Sequence, residues 1–192
     1  MNLDLKYLVI DNFYDNPIEV RNFALQQDYF IKQYYPGKRS HSFANDGHKN
    51  AFQSILKPFA EEIINFSYTG DNGSFQYTTS YDRSWVHIDG KSSNWAAIIY
   101  LTPNAPLSSG TGFYKFYDGT MNDKHQDILN NHTMIEDFSQ DMTKWELIEN
   151  ISNVFNRLII YRANNFHVSM NYFGKDINDG RLFQVFFFST KY

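Results

Sequence analysis

The chain has 192 residues, of which 42% are hydrophobic and 18% aromatic, and its formal net charge is −4. This length suits one domain with a sizeable core, and such an apolar, aromatic composition excludes a disordered chain and favours strands. The charge balance gives no sign of a nucleic-acid binder, which typically carries a basic patch. The absence of cysteine excludes disulfides, thiolate metal sites and a cysteine nucleophile.

The N-terminal segment predicts no targeting signal. Residues 1–13 alternate apolar and polar side chains and carry early acids, without the basic start and long apolar stretch of a signal peptide. The longest strongly apolar run, residues 185–188, is far too short to cross a bilayer. We therefore expect a soluble, cytoplasmic protein with no membrane partner.

The first predicted elements are a strand and two helices. The strand is expected over residues 3–10. A helix then begins at Asn16, a suitable N-cap, and Pro17, which is tolerated at the first helical position. Apolar side chains at helical spacing predict a second helix from about residue 49 to 65, kinked or split at Pro58.

Beyond residue 73 the sequence changes to short strands separated by turn signals. These strands are predicted over residues 74–80, 84–89, 94–102, 112–117, 154–161 and 181–189. Between them, polar residues 118–131 predict a loop, and residues 133–148 predict a helix. Such a series of strands is typical of an all-β body.

The domain organisation follows from the absence of internal repeats, low-complexity tracts and long linkers. We predict one domain over residues 1–192. Within it, residues 1–70 form a helical lead-in and residues 75–190 form the β-rich core.

The segment His87-Ile88-Asp89 carries the candidate chemistry. Alternate residues of a strand point to the same face, so the His87 imidazole and the Asp89 carboxylate can reach one point in space. A second histidine would complete the 2-His-1-carboxylate arrangement, which binds a divalent first-row metal and leaves coordination positions open. The alternative is a half-buried histidine beside a surface acid, because so short a motif also arises by chance.

The order of motifs along the chain resembles that of one enzyme superfamily. H-x-D at residues 87–89 is followed by N-R-L-I-I-Y…F-H, which ends at His167, and by R-L-F-Q-V-F-F-F, which begins at Arg181. This order resembles the core of the prolyl-hydroxylase-like branch of 2-oxoglutarate/Fe(II)-dependent oxygenases, over roughly residues 75–190. The segment S-G-T-G-F-Y at residues 109–114 is similar to that of a poorly characterised subgroup from bacteria and phages.

The resemblance implies a fold, a metal and an activity. We expect an α+β, mainly β fold with a double-stranded β-helix core of the jelly-roll or cupin-like kind and supporting N-terminal helices. The implied metal is Fe(II), bound by His87, Asp89 and His167. The implied activity is that of a dioxygenase, a hydroxylase, which couples decarboxylation of 2-oxoglutarate to oxidation of a substrate.

The resemblance also implies which residues hold the cosubstrate. Arg181 would pair with the far carboxylate of 2-oxoglutarate, since guanidinium and carboxylate form a bidentate, charge-assisted pair. Tyr100 would help to hold the same carboxylate, and Tyr77 would line the same pocket. From the residues alone, an arginine at the head of an apolar strand is also compatible with a solvated edge charge.

Two departures limit the resemblance. Phe183 stands two places after Arg181, where the family often has a small hydroxyl residue, and residues 118–153 are longer than in minimal members. The substrate, a small molecule or a protein, does not carry over, and neither does the oligomeric state.

Two other classes of protein compete with the oxygenase hypothesis. In a non-catalytic β-sandwich or cupin-like binding module, the same three ligands would hold a structural metal. A cupin-type enzyme without cosubstrate would usually add a third histidine or a glutamate to the cluster. The remaining histidines that we weighed, His41, His48, His125 and His132, are predicted to be surface residues rather than ligands.

Overall fold

The computed structural model describes residues 5–31, 35–89, 92–117 and 139–191. The elements in chain order are β1 (Tyr7–Ile10), α1 (Pro17–Leu25), β2 (Lys38–Ser42), α2 (Asp46–Leu56), β3 (Ile63–Phe66), β4 (Ser74–Thr78), β5 (Trp95–Tyr100), β6 (Thr111–Phe116), β7 (Trp145–Ile151), β8 (Leu158–Arg162), β9 (His167–Ser169) and β10 (Arg181–Thr190). Strands therefore dominate the described part of the chain, as predicted.

The strands form two antiparallel sheets. The large sheet has the order β1-β8-β5-β10-β4-β2, and β3 also pairs with β10. The small sheet has the order β7-β6-β9. Neighbouring strands in both sheets are often distant in sequence, which is the connectivity of a jelly roll rather than of a simple meander.

Each face of the large sheet contributes to a different core, because alternate residues of a strand point to opposite faces. The outer face packs on the helices through Trp95, Ala97, Ile99, Leu182, Phe186 and Phe188, which contact Phe52 and Leu56 of α2. The inner face packs on the small sheet through Ala96, Ile98, Tyr100, Ile159, Tyr161, Phe183 and Val185, which contact Phe113 and Ile151. The space between the two sheets is therefore lined by the inner residues alone.

The second helix is shorter than predicted. It begins at Asp46, where the Asn45 side chain accepts from the backbone of His48, and it ends at Leu56. Pro58 is incompatible with a helix interior. Beyond it the chain becomes extended, and residues 63–66 form β3 against β10. The first helix begins at Pro17 as predicted.

The helix predicted over residues 133–148 is wrong from Trp145 onwards, whereas residues 139–140 are helical and Met142–Lys144 forms a 3-10 turn. Trp145–Ile151 is a strand, β7, paired with β6. It lies at the edge of the small sheet, where Leu147 and Ile148 are exposed. Because these apolar residues do not face the core, their spacing does not report the secondary structure. Residues 133–138 and the predicted loop over 118–131 lie outside the described residues.

Smaller corrections concern strand ends and two short strands that were not predicted. The strand predicted over residues 154–161 begins only at Leu158, after a turn in which Asn156 has a φ of 65°. Lys38–Ser42 forms β2 and His167–Ser169 forms β9, and neither strand was predicted from the sequence. No helix in the described ranges is long and apolar enough to cross a membrane.

Candidate metal centre

The two predicted histidine ligands face each other across an isolated β-bridge. The N–H of His87 donates to the carbonyl of His167 at 3.0 Å, and the N–H of His167 donates back at 2.9 Å. Two residues further on, the N–H of Asp89 donates to the carbonyl of Ala163 at 2.9 Å. The segment predicted as a strand over residues 84–89 is thus an extended chain with one bridge, which still places His87 and Asp89 on one side.

The imidazole rings are oriented by their own backbone. Nδ1 of His87 lies 2.8 Å from the carbonyl of Trp85, and Nδ1 of His167 lies 2.9 Å from the carbonyl of Asn165. A carbonyl only accepts, so each Nδ1 carries a proton and each Nε2 is the nitrogen that can bind a metal. Such hydrogen bonds fix the tautomer in which a histidine binds a metal.

The three predicted ligands converge on one point. Nε2 of His87 lies 3.8 Å from Oδ1 of Asp89, and Nε2 of His167 lies 3.3 Å from Oδ2 of Asp89. One donor atom from each residue lies within 4.8 Å of the others. This donor set, two imidazoles and a carboxylate, is that of the facial triad of non-haem iron(II) proteins.

The electrostatics of the cluster favour a cation. Burial raises the pKa of the Asp89 carboxyl, but the charge and hydrogen bond of His167 outweigh it and bring this pKa to about 2. Removal from water and the charge of His167 lower the pKa of His87 to about 4. Burial also lowers the pKa of His167, but Asp89 more than offsets this and raises it above its usual value. Near neutral pH the carboxylate is therefore charged and His87 presents its lone pair.

Arg181 is completely buried rather than solvated at the edge of the sheet. Its Nε donates to the carbonyl of Ser109 at 3.0 Å, and its guanidinium carbon lies 4.3 Å from the centre of the Phe183 ring. Nη1 is buried without a hydrogen bond of good geometry to any described residue, although the Tyr100 hydroxyl lies near the guanidinium. A buried cationic N–H without an acceptor is costly, so this nitrogen is suited to an anion that enters the space between the sheets.

Two hydroxyl groups near Arg181 are also buried without a hydrogen bond of good geometry. Thr78 faces Arg181 in the register of β4 and β10. Its Oγ1 and the hydroxyl of Tyr172 are buried without a hydrogen bond of good geometry to any described residue, although Tyr172 lies near Ser84 and Ser169. Burial raises the pKa of Tyr172 and the charge of Arg181 opposes that rise, so the two groups are close. These are three buried donors without a hydrogen bond of good geometry, one of them charged, and a carboxylate is the kind of group that such donors bind.

The two tyrosines implied by the family resemblance have different positions. Tyr100 is buried on the inner face, 5.2 Å from the guanidinium carbon of Arg181, and its hydroxyl bonds to Thr111 at 2.7 Å. Tyr77 lies on the outer face, where its ring contacts Tyr29 edge-on. The structure therefore does not bring Tyr77 to the metal centre. The residue of β4 that lines the cavity there is Gln76.

The metal centre lies in a small cavity that adjoins an open cleft. The cavity, of about 70 Å³, is lined by residues of both sheets, including Tyr172 and Phe183 as well as the three ligands. The cleft, of about 640 Å³, shares Tyr35, Arg39, His87, Asp89 and Phe187 with the cavity. Most of its other lining residues have hydroxyl, amide or carboxylate side chains, namely Asn65, Ser67, Thr69, Asp71, Asn72, Ser92 and Ser93. A molecule in this cleft would lie beside the metal ligands.

Thr78 and Tyr172 beside Arg181 were missed from the sequence, and so were three residues beside the metal ligands. Tyr161 contacts two of the metal ligands. Arg39 donates to Gln76 Oε1 through Nε at 3.0 Å and Nη2 at 2.6 Å, and both line the cavity. Arg39 lies on β2, whose sequence K-R-S-H-S lacks the alternation of apolar and polar residues that would predict a strand.

The other histidines that the structure describes lie away from the metal centre. His41 is exposed, as predicted. His48 is only partly exposed, because its ring packs on Phe186 and its Nε2 bonds to Tyr14. It was predicted to be a surface residue, and that prediction is wrong. His125 and His132 lie outside the described residues.

Comparison with solved structures identifies the class of fold. The chain resembles a prolyl hydroxylase from Trichoplax adhaerens in complex with a hypoxia inducible factor peptide fragment, with a TM-score of 0.61 and 12% identity over 95% of this chain and 83% of that one. It resembles HygX from Streptomyces hygroscopicus, with nickel, 2-oxoglutarate and hygromycin B bound, with a TM-score of 0.59 and 10% identity over 94% and 81%. A Pseudomonas putida prolyl-4-hydroxylase gives 0.52 and 11% over 98% and 94%.

These likenesses confirm the predicted double-stranded β-helix fold, and at such low identity they establish the fold alone. By sequence, the chain belongs to a family of unknown function, DUF6445, whose model matches residues 3–188. No protein of curated function matches the sequence.

Proposed function

We propose that this protein is an Fe(II)- and 2-oxoglutarate-dependent oxygenase. The observation that carries the proposal is the pairing of two features between the two sheets. One is the convergent His87, Asp89 and His167 cluster. The other is the buried Arg181, whose Nη1 lacks a hydrogen bond of good geometry to any described residue. A structural metal site alone would need only the first feature.

Each group has a defined task in this proposal. The two Nε2 atoms and the Asp89 carboxylate hold Fe(II), a choice of donors that suits that ion and leaves open positions. When bound, the iron and 2-oxoglutarate together supply the oxidising chemistry, in which decarboxylation of the cosubstrate is coupled to oxidation of a substrate. The protein supplies position and shelter from water.

The cosubstrate would be anchored at its far end. Nη1 of Arg181, Oγ1 of Thr78 and the hydroxyl of Tyr172 are the buried donors without a hydrogen bond of good geometry, and they would bind its distal carboxylate. The Phe183 ring lies against the guanidinium, with its centre 4.3 Å from the guanidinium carbon. An aromatic face stabilises a cation without consuming its N–H groups, so this residue replaces the family's small hydroxyl by a different kind of support. Tyr100 is a neighbour of the guanidinium, but its hydroxyl already bonds to Thr111.

Substrate selection would take place in the polar cleft beside His87 and Asp89. The donors and acceptors that line it suit a hydrophilic substrate or an exposed polar segment of a larger one. The identity of that substrate, hydroxylation as the type of oxidation, the bacterial or phage subgroup and the cytoplasmic location stay predictions.

The distal carboxylate of the cosubstrate gives a direct test. Protein loaded with Mn(II), a redox-inert substitute for Fe(II), is titrated calorimetrically with 2-oxoglutarate and with 2-oxovalerate, which has the same chain length but no distal carboxylate. A hydrogen bond to a charged group contributes roughly 1.5–3 kcal/mol, so we expect 2-oxoglutarate to bind at least about tenfold more tightly. Equal affinity for the two acids, or no binding of either, would contradict the proposal and favour the binding-module hypothesis.

A further inference from the structure

The hydroxyl group of Tyr161 contacts two of the three metal ligands. It lies 3.0 Å from Oδ2 of Asp89 and 3.2 Å from Nε2 of His167. These two ligand atoms are themselves 3.3 Å apart. The three atoms therefore form a nearly equilateral triangle at the metal centre. Tyr161 is the last residue of the N-R-L-I-I-Y motif, but no role at the metal was predicted for it from the sequence.

The position of this hydroxyl is fixed by the large sheet. Tyr161 is 2% exposed and lies on β8, where it faces Ala96 of β5 on one side and Tyr7 of β1 on the other. Its ring packs on His167 at 4.7 Å and edge-on against Phe113 at 5.4 Å. A group held by a paired strand and packed on both sides holds its geometry better than one on a loop.

Metal binding would leave the Tyr161 hydroxyl with only one of its two hydrogen-bond acceptors. Once Nε2 of His167 gives its lone pair to the metal, it can no longer accept a proton from Tyr161. The remaining acceptor is Oδ2 of Asp89, at 3.0 Å. Carboxylates that bind a metal are usually held by such a hydrogen bond to the oxygen that faces away.

We propose that Tyr161 is a positioning residue of the metal centre, whose phenol donates to Oδ2 of Asp89 and leaves Oδ1 to bind the metal. This inference rests on the metal centre of the proposed function but not on 2-oxoglutarate. It accounts for a one-oxygen carboxylate ligand, which leaves room for other molecules at the metal. It also gives the buried tyrosine a hydrogen-bond partner in the loaded state, as buried hydroxyl groups require.

The competing arrangement is a phenol oxygen bound directly to the metal. Neighbouring ligands at bonds of about 2.1 Å are roughly 3.0 Å apart in an octahedron, which is close to the edges of the triangle. A bound phenolate would however place a second negative oxygen at hydrogen-bond distance from the Asp89 carboxylate, and like charges at that distance repel each other. The donor role keeps the contact attractive.

The test compares Tyr161→Phe with Tyr7→Phe. Tyr7 is the matched control, because it faces Tyr161 in the register and stacks on the same Phe113, while its hydroxyl contacts Glu149 rather than a ligand. Loss of a partner that orients a ligand typically costs 10- to 100-fold in metal affinity. We expect about that loss of Mn(II) affinity in Tyr161→Phe, measured without cosubstrate, and none in Tyr7→Phe. Unchanged affinity in Tyr161→Phe would overturn the proposal.

A second measurement needs no variant and separates the two arrangements. The wild-type protein is loaded with iron and oxidised to Fe(III), and its visible spectrum is recorded. The donor role predicts no phenolate-to-Fe(III) charge-transfer band, whereas a strong band would show direct binding and overturn the proposal. A wild-type protein that binds Mn(II) but no 2-oxoglutarate would contradict the proposed function and leave this result standing.

Discussion

A network of polar side chains that includes histidine lies against each face of the large sheet, and the two networks differ in kind. On the outer face, Gln184 donates through Nε2 to the carbonyl of Gly73 at 2.8 Å, and its Oε1 accepts from the hydroxyl of Tyr14 at 2.5 Å. The Tyr14 oxygen is then left to accept from Nε2 of His48, 2.9 Å away. Each donor has one acceptor in this relay, and no carboxylate takes part.

On the inner face, the metal-binding atoms of His87, Asp89 and His167 lie close to one point instead of forming a chain of hydrogen bonds. In the outer relay every donor has an acceptor, and only Nδ1 of His48 is left without a partner among the described residues. The groups that converge around the buried Asp89 carboxylate instead need a proton or a metal cation between them. The outer network borders a cavity of about 630 Å³, and the metal centre adjoins a cleft of about 640 Å³. Cavity size alone therefore does not distinguish the two faces of the sheet, and the direction of the lone pairs is the better guide to chemistry.

The largest effect is expected from removal of a metal ligand. His87→Ala, Asp89→Ala and His167→Ala each remove one of three donors, so we expect each to abolish stoichiometric Fe(II) binding under anaerobic titration. The control is His48→Gln on the opposite face, which should bind iron like the wild type. If any two of the ligand variants kept wild-type affinity, the inner network would not be a metal centre.

The second effect concerns the proposed site for the distal carboxylate. Arg181→Ala removes a charge-assisted donor worth roughly 1.5–3 kcal/mol, so 2-oxoglutarate affinity of the Mn(II)-loaded protein should fall about ten- to a hundredfold. Arg181→Lys should restore only part of it, because an ammonium group lacks the planar fork. Affinity for 2-oxovalerate should change little in either variant. A variant that bound both acids like the wild type would show that another cation holds the carboxylate.

A third effect is the competition between metal and protons. The raised pKa of His167 means that this residue holds a proton, in a pair with Asp89, at pH values where a free histidine has lost it. Metal binding must displace that proton. We expect Mn(II) affinity to fall about tenfold per pH unit below the pKa of His167, and to level off above it. Calorimetry at pH 6.5 in two buffers of different ionisation enthalpy should detect the released proton, and no release would contradict the pairing.

Much of the fold and of the metal centre was predictable because it depends on order along the chain. The three ligands and Arg181 sit in or beside strands whose apolar alternation is strong, and a resemblance in motif order covers all four. Tyr77 shows the limit of this approach. Successive residues of a strand point to opposite faces, so an assignment that is one residue off exchanges Tyr77, on the outer face, for Gln76, at the cavity.

The role of Tyr161 was missed, and the secondary structure of β7 was predicted wrongly, for other reasons. The position of Tyr161 in an apolar strand predicts a core residue, which it is, and only the three-dimensional contacts show that its hydroxyl reaches Asp89. The strand β7 lies at a sheet edge with most of its side chains exposed, so its hydrophobic pattern carries little information about its backbone. In both cases the decisive contact is with residues far away in sequence.

The smallest effect tests the outer network, which should influence stability and not chemistry. Burial lowers the pKa of His48 from 6.5 to about 4, so the folded protein resists a proton that the unfolded chain accepts. The stabilisation by the neutral ring is therefore complete above pH 6.5 and is lost as the pH falls towards 4. One extra proton bound on unfolding changes the free energy of unfolding by at most about 1.4 kcal/mol per pH unit.

In metal-free protein, His48→Gln should make the loss of stability between pH 5.5 and 4.5 smaller by about 1 kcal/mol than in the wild type, as measured by urea unfolding. The groups of the metal centre titrate alike in both proteins, so they cancel in this difference. Parallel stability curves for the two proteins would mean that His48 is protonated as easily in the folded state as in the unfolded one, and the relay of Tyr14, His48 and Gln184 would then not hold the ring neutral.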